Sequence, residues 1–311
     1  MVLNLSYENG QPLNFLQGLP NDYKGRILPG SISWSCIEDY GRLIIQELHA
    51  ELYSISFQSF QFFKPAILQW KAHVPRPFSC FALTNDLSEI IAGYGKIRIR
   101  QGQVNFQGKD IDGGLVSYQK GNFYESLYTG YEHSILEGFD PGSITRPQWA
   151  GKGLLQWVDH IFMDEIRADF RRQYYETKVK EYLLLQFGNV VRERQKDSGL
   201  HPHELAAVYE TLQIISRDMK EHIPIDELAR RIGLKNFHLK SIFLRRMGMN
   251  IYEYQLYRKM MEARRLLLNS DKGEKEIASI LGYSGTASLT TAFRKYFKIT
   301  PSTLRDQHPK E

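Results

Sequence analysis

Cysteine is almost absent from this 311-residue chain, which has only Cys36 and Cys80. The two do not form a Cys-x-x-Cys pair, so neither a zinc site nor a disulfide framework is indicated, and a reducing cytoplasm is the expected location. Apolar runs of about 18 residues are also lacking, so we expect no membrane-spanning helix and no membrane partner. The first residues, MVLNLSYENG, lack a basic region followed by an apolar stretch, so we expect no secretory signal.

Residues with the spacing of metal or catalytic sites are equally scarce. His201 and His203 flank a proline in a polar stretch without a third ligand at a suitable distance, which favours a linker over a metal site. Glu132 and His133 form the best remaining candidate pair of ligands. We therefore predict no catalytic residue, no metal, no cofactor and no enzymatic activity.

Acidic residues are too few at one end of the chain to balance the basic ones. Residues 224–311 contain 17 Lys and Arg against 9 Asp and Glu, a net charge of +8, whereas the whole chain has a net charge of +5. The remainder is therefore mildly acidic. A concentrated basic segment indicates a polyanionic partner, although a solvated helix face can produce the same pattern.

The first 147 residues have the pattern of short strands. Lys96–Phe106 alternates apolar and polar residues on either side of a turn at Gly102, and Leu52–Phe63 is also typical of a strand. Many short strands with glycine-rich turns indicate an antiparallel barrel or sandwich. For residues 1–147 we predict a β-rich domain, an antiparallel β-barrel that is cupin-like. The fold class predicted for the whole chain is α+β.

After Pro147 the pattern changes to the periodicity of helices. We predict a helical connector and linker over residues 148–202, in which the polar stretch Arg192–Pro202 forms the linker. One stripe in this segment is apolar except for its last member. It predicts either a dimer interface or packing against the chain's own β domain, and it consists of Tyr175, Val179, Tyr182, Leu183 and Gln186.

The third predicted domain, residues 203–311, is entirely helical and contains an internal repeat. Leu228–Tyr254 aligns with Ile277–Leu304, and both copies predict a helix, a glycine turn and a second helix, which is a helix-turn-helix. Gly233 and Gly282 occupy the turns and are expected to have positive φ. Each second helix is expected to be held to the core by a leucine and a phenylalanine, Leu239 and Phe243 in the first copy, Leu289 and Phe293 in the second.

The segment between the copies predicts one long helix. Ile251–Leu268 would span about 27 Å at ~1.5 Å per residue. Successive major grooves on one side of B-DNA are roughly 34 Å apart. A helix of this length can therefore place two second helices in adjacent grooves.

This repeat resembles the DNA-binding domain of AraC/XylS-type bacterial transcription regulators. The second copy, EIASILGYSGTASLTTAFRKYFKITPSTLR, is close to the family signature. The first copy departs from it, with Lys235-Asn236 where Ser-Pro is frequent and Ile251-Tyr252 where Pro-Ser is frequent. The resemblance implies a sequence-specific regulator, an activator rather than a repressor, with an N-terminal regulatory domain that responds to a small-molecule effector. It also implies a homodimer that has double-stranded promoter DNA and RNA polymerase as partners.

The resemblance further implies that the exposed side of each second helix contacts bases. In the first copy these positions are Phe237, Lys240 and Ser241. Phe237 is out of phase with the core positions, which indicates contact with a thymine methyl group or a sugar, or else packing against a neighbouring helix. Lys240 has the length to reach a guanine or a phosphate, and the phosphate is its more ordinary partner.

The second copy presents small residues at the corresponding positions, most of them poor helix formers. Small hydroxyl and methyl groups allow close approach to base edges, but they offer few donors, so we expect more reliance on DNA shape. The residues are Thr286, Ala287, Thr290 and Thr291. Six basic residues are expected to contact phosphates, and the alternative is that they lie on a solvated helix surface. They are Arg245, Arg246, Arg258, Arg265, Arg294 and Lys295.

Two other classes of function remain open at this stage. One is a cupin-type metalloenzyme with an appended nucleic-acid-binding module. The other is a ligand-free regulator whose first domain only dimerises. Bound stoichiometric metal would favour the enzyme, and the absence of any stabilising ligand together with unchanged DNA affinity would favour the ligand-free regulator.

Overall fold

The computed structural model describes residues 3–72, 76–91, 94–108, 111, 113–137, 139, 147–163, 166–196, 201–217 and 220–306. Contacts divide the chain into two compact units. Unit 1 comprises Met1–Pro20 and Arg26–Val191, and unit 2 comprises Asn21–Gly25 and Arg192–Glu311. No helix in the described part of the chain is both long enough and apolar enough to cross a lipid bilayer.

Unit 1 contains antiparallel strands, as the alternating patterns predicted. They are β1 (Leu3–Tyr7), β2 (Leu16–Gln17), β3 (Ile32–Glu38), β4 (Gly41–His49), β5 (Tyr53–Phe62), β6 (Ala66–Ala72), β7 (Phe78–Thr84), β8 (Leu87–Ile91), β9 (Gly95–Ile99), β10 (Gln103–Gln107), β11 (Gly113–Tyr118), β12 (Phe123–Tyr131) and β13 (Gln148–Trp149). One sheet has the order β1-β6-β11-β8-β9, and the other β13-β10-β7-β12-β5-β4-β3-β2.

The two sheets face each other across a shared core rather than closing into one ring. Phe62 of one sheet stacks on Tyr118 of the other, with 4.5 Å between ring centroids. Trp70 and Tyr124 belong to the same buried cluster. The predicted β-rich antiparallel domain is confirmed, but the described strands form two open sheets, so the closed barrel is corrected to a two-sheet arrangement. Both cysteines are free and buried within it.

The predicted strands in Lys96–Phe106 are present as β9 and β10, joined by a turn in which Gly102 has φ +82°. They do not pair with each other. β9 pairs with β8, and β10 pairs with β7, so the chain passes from one sheet to the other at this turn.

Two helices follow the strands, α1 (Lys152–Ile161) and α2 (Arg171–Lys196). The predicted apolar stripe lies on α2 and is buried. Tyr175 donates a hydrogen bond to the Pro29 carbonyl at 2.9 Å, the Ser79 hydroxyl donates to Gln186 at 2.7 Å, and Tyr182 contacts the ring of Trp157. The stripe therefore packs against its own β domain, and it is not exposed as a dimer interface.

The polar stretch predicted as a linker is helical at its start, because α2 continues to Lys196; residues 197–200 lie outside the described part of the chain. Seven helices follow in the described residues of unit 2. They are α3 (Pro202–Arg217), α4 (Ile225–Ile232), α5 (Asn236–Met247), α6 (Ile251–Asn269), α7 (Glu274–Ile280), α8 (Thr286–Phe297) and α9 (Pro301–Asp306). The predicted long helix is α6, which ends one residue later than expected.

Candidate nucleic-acid interface

The first helix pair consists of α4 and α5. Gly233 ends α4 in the left-handed conformation, with φ 74°, and its N–H bonds back to carbonyls of the last turn of α4. Helix α5 then begins at Asn236, and Leu239 and Phe243 are fully buried beneath it. The predicted turn and both core anchors are confirmed, and they leave the opposite face of α5 outside the core.

All three base-facing positions predicted on α5 lie on that outer face. Phe237 is 84% exposed, and Lys240 and Ser241 are also exposed. Packing of Phe237 against a neighbouring helix was the alternative to DNA contact, and its exposure is inconsistent with such packing. A single exposed phenylalanine is ordinary on a protein surface, so its exposure leaves it accessible to a partner without requiring one.

The second helix pair consists of α7 and α8. Gly282 has φ +71°, and the Tyr283 N–H bonds to the Ala278 carbonyl at 2.8 Å. A side chain at Gly282 would overlap the backbone carbonyl of Lys220, whereas one at Gly233 would meet no atom within 4 Å. Both glycines are required by their φ, and Gly282 is required by close packing as well.

The predicted outer face of α8 is accessible and made of small groups. Thr286, Ala287 and Thr291 are exposed and Thr290 is half-buried, while Leu289 and Phe293 are fully buried. The Ser288 hydroxyl bonds to the Gly285 carbonyl at 2.8 Å at the start of the helix. The side chains left facing outward are therefore short and bear hydroxyl or methyl groups.

The repeat also includes the capping of the helix that follows each pair, which the alignment of the two copies did not predict. The Asn250 side chain accepts a hydrogen bond from the Glu253 N–H at 2.8 Å, and the Asn250 N–H donates to the Glu253 carboxylate at 3.0 Å, which is a capping box at the start of α6. The residue that matches it, Thr300, accepts from the Thr303 N–H at 3.1 Å at the start of α9. Each helix pair is thus followed by a capped helix.

The six cations predicted to contact phosphates occupy different environments. Arg245, Arg294 and Lys295 are exposed in the last turns of α5 and α8, and Arg246 is half-buried. Arg258 is only 6% exposed. The Arg265 guanidinium binds the Glu262 carboxylate at 2.6 Å. Burial of Arg258 and the ion pair of Arg265 do not support their prediction as phosphate contacts.

Side chains that sequence patterns did not single out join the second helix pair to the rest of unit 2. Gln255 of α6 accepts from the Ile223 N–H at 2.9 Å and donates to the Ile223 carbonyl at 3.0 Å. Lys259, one turn further, donates to the carbonyls of Lys220 and Leu281 at 3.1 and 2.9 Å. Their partners are backbone groups, so no pattern of residue types could have revealed them.

The candidate metal ligands have other partners. Glu132 forms an ion pair with Arg76 at 2.7 Å. The rings of His201 and His203 stack at the start of α3 with centroids 5.5 Å apart, and the Glu204 carboxylate accepts from the His201 N–H at 2.8 Å. Within the described ranges, no three His, Cys, Asp or Glu side chains are grouped as metal ligands.

Comparisons with known proteins agree with the geometry of the two helix pairs. A model of a helix-turn-helix domain matches residues 228–307, which include α6 and both pairs except for the first three residues of α4. The probable transcription factor PqrA of Proteus vulgaris is 35% identical over 86 residues, which make up 28% of this chain and 70% of that protein. The lactose operon transcription activator of Staphylococcus xylosus is 24% identical over 98 residues, 32% of this chain and 35% of that one.

Among solved structures, an AraC-type transcriptional regulator from Chromobacterium violaceum is 24% identical, with a TM-score of 0.32; the match covers 34% of this chain and 95% of that one. The family model that matches residues 228–307 shows that the chain has a helix-turn-helix domain. It belongs to the AraC/XylS-type family of transcription regulators. The chain spans only about a third of the length of the Staphylococcus protein.

Proposed function

We propose that this chain activates transcription by binding promoter DNA sequence-specifically through two helix-turn-helix motifs. The observation that carries the proposal is the paired presentation of α5 and α8. Each buries its leucine and phenylalanine completely and turns an accessible face outward. On α5 that face includes a phenylalanine that is 84% exposed. An α-helix presented in this way fits the major groove of B-DNA.

The two motifs read DNA in different ways. On α5, the ring of Phe237 makes an apolar contact with the DNA. The polar side chains of Lys240 and Ser241 add hydrogen bonds, and that of Lys240 is the longer. The α8 face, with Thr286, Ala287, Thr290 and Thr291, approaches base edges closely but supplies few donors, so it responds more to groove shape. Arg245, Arg246, Arg294 and Lys295 neutralise phosphates near the ends of the two helices.

Residues 1–147 serve in this proposal as a cupin-like regulatory domain, 148–202 as a connector, and 203–311 as the DNA-binding domain. The buried polar groups between the sheets of unit 1 support an effector site there. Glu89 is fully buried, and its carboxylate accepts from Gln107 at 2.9 Å. Both amide atoms of Asn105 and the Gln107 amide oxygen have no hydrogen-bond partner among the described residues.

These groups face one region. Asn105 and Gln107 are two residues apart on β10, so their side chains leave the same side of the sheet. Asn105 lies directly opposite Cys80, which belongs to the core between the sheets. Unpaired buried polar groups are costly, and a polar small molecule bound between the sheets would satisfy them.

Activation, rather than repression, has the support of the Staphylococcus relative that is named an activator. We also propose that the chain forms a homodimer, that RNA polymerase is a partner, and that the protein is located in the cytoplasm. Because the apolar stripe of α2 is buried, the dimer uses another surface. We propose a regulator and not an enzyme; stoichiometric iron, zinc or manganese in the purified protein would contradict this.

DNA binding is tested with the full chain. Duplexes that it enriches from a random library should bind with an affinity that falls steeply with salt. Thr291→Glu places a carboxylate on the outer face of α8 and should weaken binding at least tenfold, because like charges in an interface are strongly unfavourable. Thr177→Glu, on the exposed face of α2, is the matched control. A weak salt dependence, or equal binding by both variants, would refute the proposal.

The effector is tested separately by thermal shift of the full chain with sugars, amino acids and polyamines. Stabilisation that is lost in Asn105→Leu would support a site between the sheets. No stabilisation by any compound, together with unchanged DNA affinity, would favour the ligand-free regulator instead.

A further inference from the structure

One face of α6 joins two separate parts of unit 2. Gln255 and Lys259 are four residues apart, so their side chains lie on the same side of the helix. Gln255 is buried and holds both backbone groups of Ile223, just before α4. Lys259 donates to the carbonyls of Lys220 and Leu281. The segment before the first helix pair and the turn of the second helix pair therefore meet at α6.

The partners of the Lys259 ammonium include three uncharged groups. Leu281 caps the C-terminal end of α7, where carbonyls lack intrahelical donors and carry partial negative charge. The ring of Tyr283 lies 5.6 Å from the ammonium, within the range of a cation–π interaction. Two carbonyls at hydrogen-bond distance and one ring thus define the position of this side chain.

The same junction is tightly packed. Gly282 lies so close to Lys220 that a side chain on it would overlap the Lys220 carbonyl, which is also an acceptor for Lys259. The segment at Lys220, the end of α7 and α6 are consequently held together by directional hydrogen bonds. Their relative rotation is fixed by these directional bonds together with the close packing of α6, α7 and α8, in which Met260, Ile277 and Leu289 are fully buried.

The first helix pair has no counterpart of this junction at its turn. A side chain on Gly233 would meet no atom within 4 Å. That pair is held instead by α3, whose Glu204 bonds to His238 of α5 at 2.7 Å. Among the described residues the repeat is therefore asymmetric, since the turn of the second pair, and not that of the first, bonds to the segment that precedes the first pair.

We propose that Lys259 is a positioning residue that fixes the orientation of α8 relative to α5 and so sets the spacing of DNA half-sites that the chain selects. This role rests on the proposed function, since it assumes that both helices enter DNA. The length of α6 sets the distance between the two pairs, and Lys259 sets their rotation. Without it, α8 adopts a wider range of orientations.

The test uses the full chain and duplexes that the wild type enriches from a random library. The separation of the two half-sites is then varied by one and two base pairs in each direction, and affinity is measured by fluorescence anisotropy. The wild type should show one optimal spacing. Lys259→Met should bind the optimal duplex about tenfold more weakly, with the preference for spacing reduced to less than about threefold. Binding to a duplex with a single half-site should not change.

Three further variants separate positioning from charge and folding. Lys259→Arg retains donors and should keep the spacing preference. Lys259→Gln keeps an N–H donor on a side chain one atom shorter, which cannot reach both carbonyls, so it should show the same flattening as Lys259→Met. Lys275→Met removes an exposed lysine of α7 and should leave the spacing preference intact. Circular dichroism establishes that each variant is folded.

Several results would overturn the role of Lys259. One is a spacing profile like that of the wild type in both Lys259→Met and Lys259→Gln. Another is equal weakening at every spacing and on single half-sites, with the slope of log affinity against log salt reduced by about 0.9, which identifies a phosphate contact. If the wild type itself enriches no sequence, the proposed function fails, independently of Lys259.

Discussion

Replacing Gly282 by alanine should destabilise unit 2 by about 3 kcal/mol, and the same change at Gly233 by about 1 kcal/mol. The two glycines have similar φ, 71° and 74°, so both variants incur the cost of a left-handed alanine, about 1 kcal/mol. Only at Gly282 does the new side chain overlap the Lys220 carbonyl. The carbonyl must then move, which breaks its hydrogen bond from Lys259, at about 1 kcal/mol, and the forced repacking adds about 1 kcal/mol.

The assay is urea unfolding of the full chain, combined with hydrogen exchange of peptides from the two helix pairs. A difference of about 3 kcal/mol corresponds to a loss of protection of roughly 100-fold in residues 274–297 of Gly282→Ala. Gly233→Ala should lose less than about tenfold in residues 225–247. Equal losses in the two variants would refute the argument from close packing, and no loss in either would refute the left-handed turns.

Three further predictions follow from single residues. Burial raises the pKa of Glu89, so its contribution to the stability of unit 1 is fully present below the ordinary carboxyl pKa of about 4.3 and is lost as the pH rises through the folded-state pKa. Glu89→Gln should therefore flatten the fall of the melting temperature with pH, and an unchanged profile would contradict this. Asn250→Ala removes the capping box of α6 and should cost about 1 kcal/mol in thermal unfolding; a change near zero would show that the cap is dispensable. Arg294→Ala should reduce the slope of log DNA affinity against log salt by about 0.9, and an unchanged slope would exclude a phosphate contact.

The features predicted correctly from the sequence are those that local periodicity and backbone geometry determine. The repeat places Gly233 and Gly282 after short helices, where the chain must reverse, and both have positive φ. Leucine and phenylalanine four residues apart lie on one face of a helix, so the burial of α5 and α8 could be deduced from their spacing. The strand β5 follows from its apolar, aromatic composition in the same way.

The features that could not be predicted depend on contacts between distant parts of the chain. Nothing in Lys96–Phe106 shows that its two strands enter different sheets. The stripe beginning at Tyr175 is equally suited to a dimer interface and to packing on the β domain, and only the folded chain distinguishes them. The contacts of Lys259 could not be predicted because its partners are backbone carbonyls, which every residue has. No pattern in the sequence indicated that Arg258 is buried.

The connection of both helix pairs through α6 has a further consequence for affinity. Helix α6, with 19 residues, holds the second pair within about 30 Å of the first. Once one pair is bound to DNA, the other therefore meets its half-site at an effective concentration on the order of millimolar, if the half-site is in the matching register. Two individually weak contacts can then give a combined affinity that is about 100-fold or more higher than that of either contact alone, as is typical of linked binding modules. The donor-poor face of α8 need not bind DNA measurably by itself to decide which promoters the chain occupies.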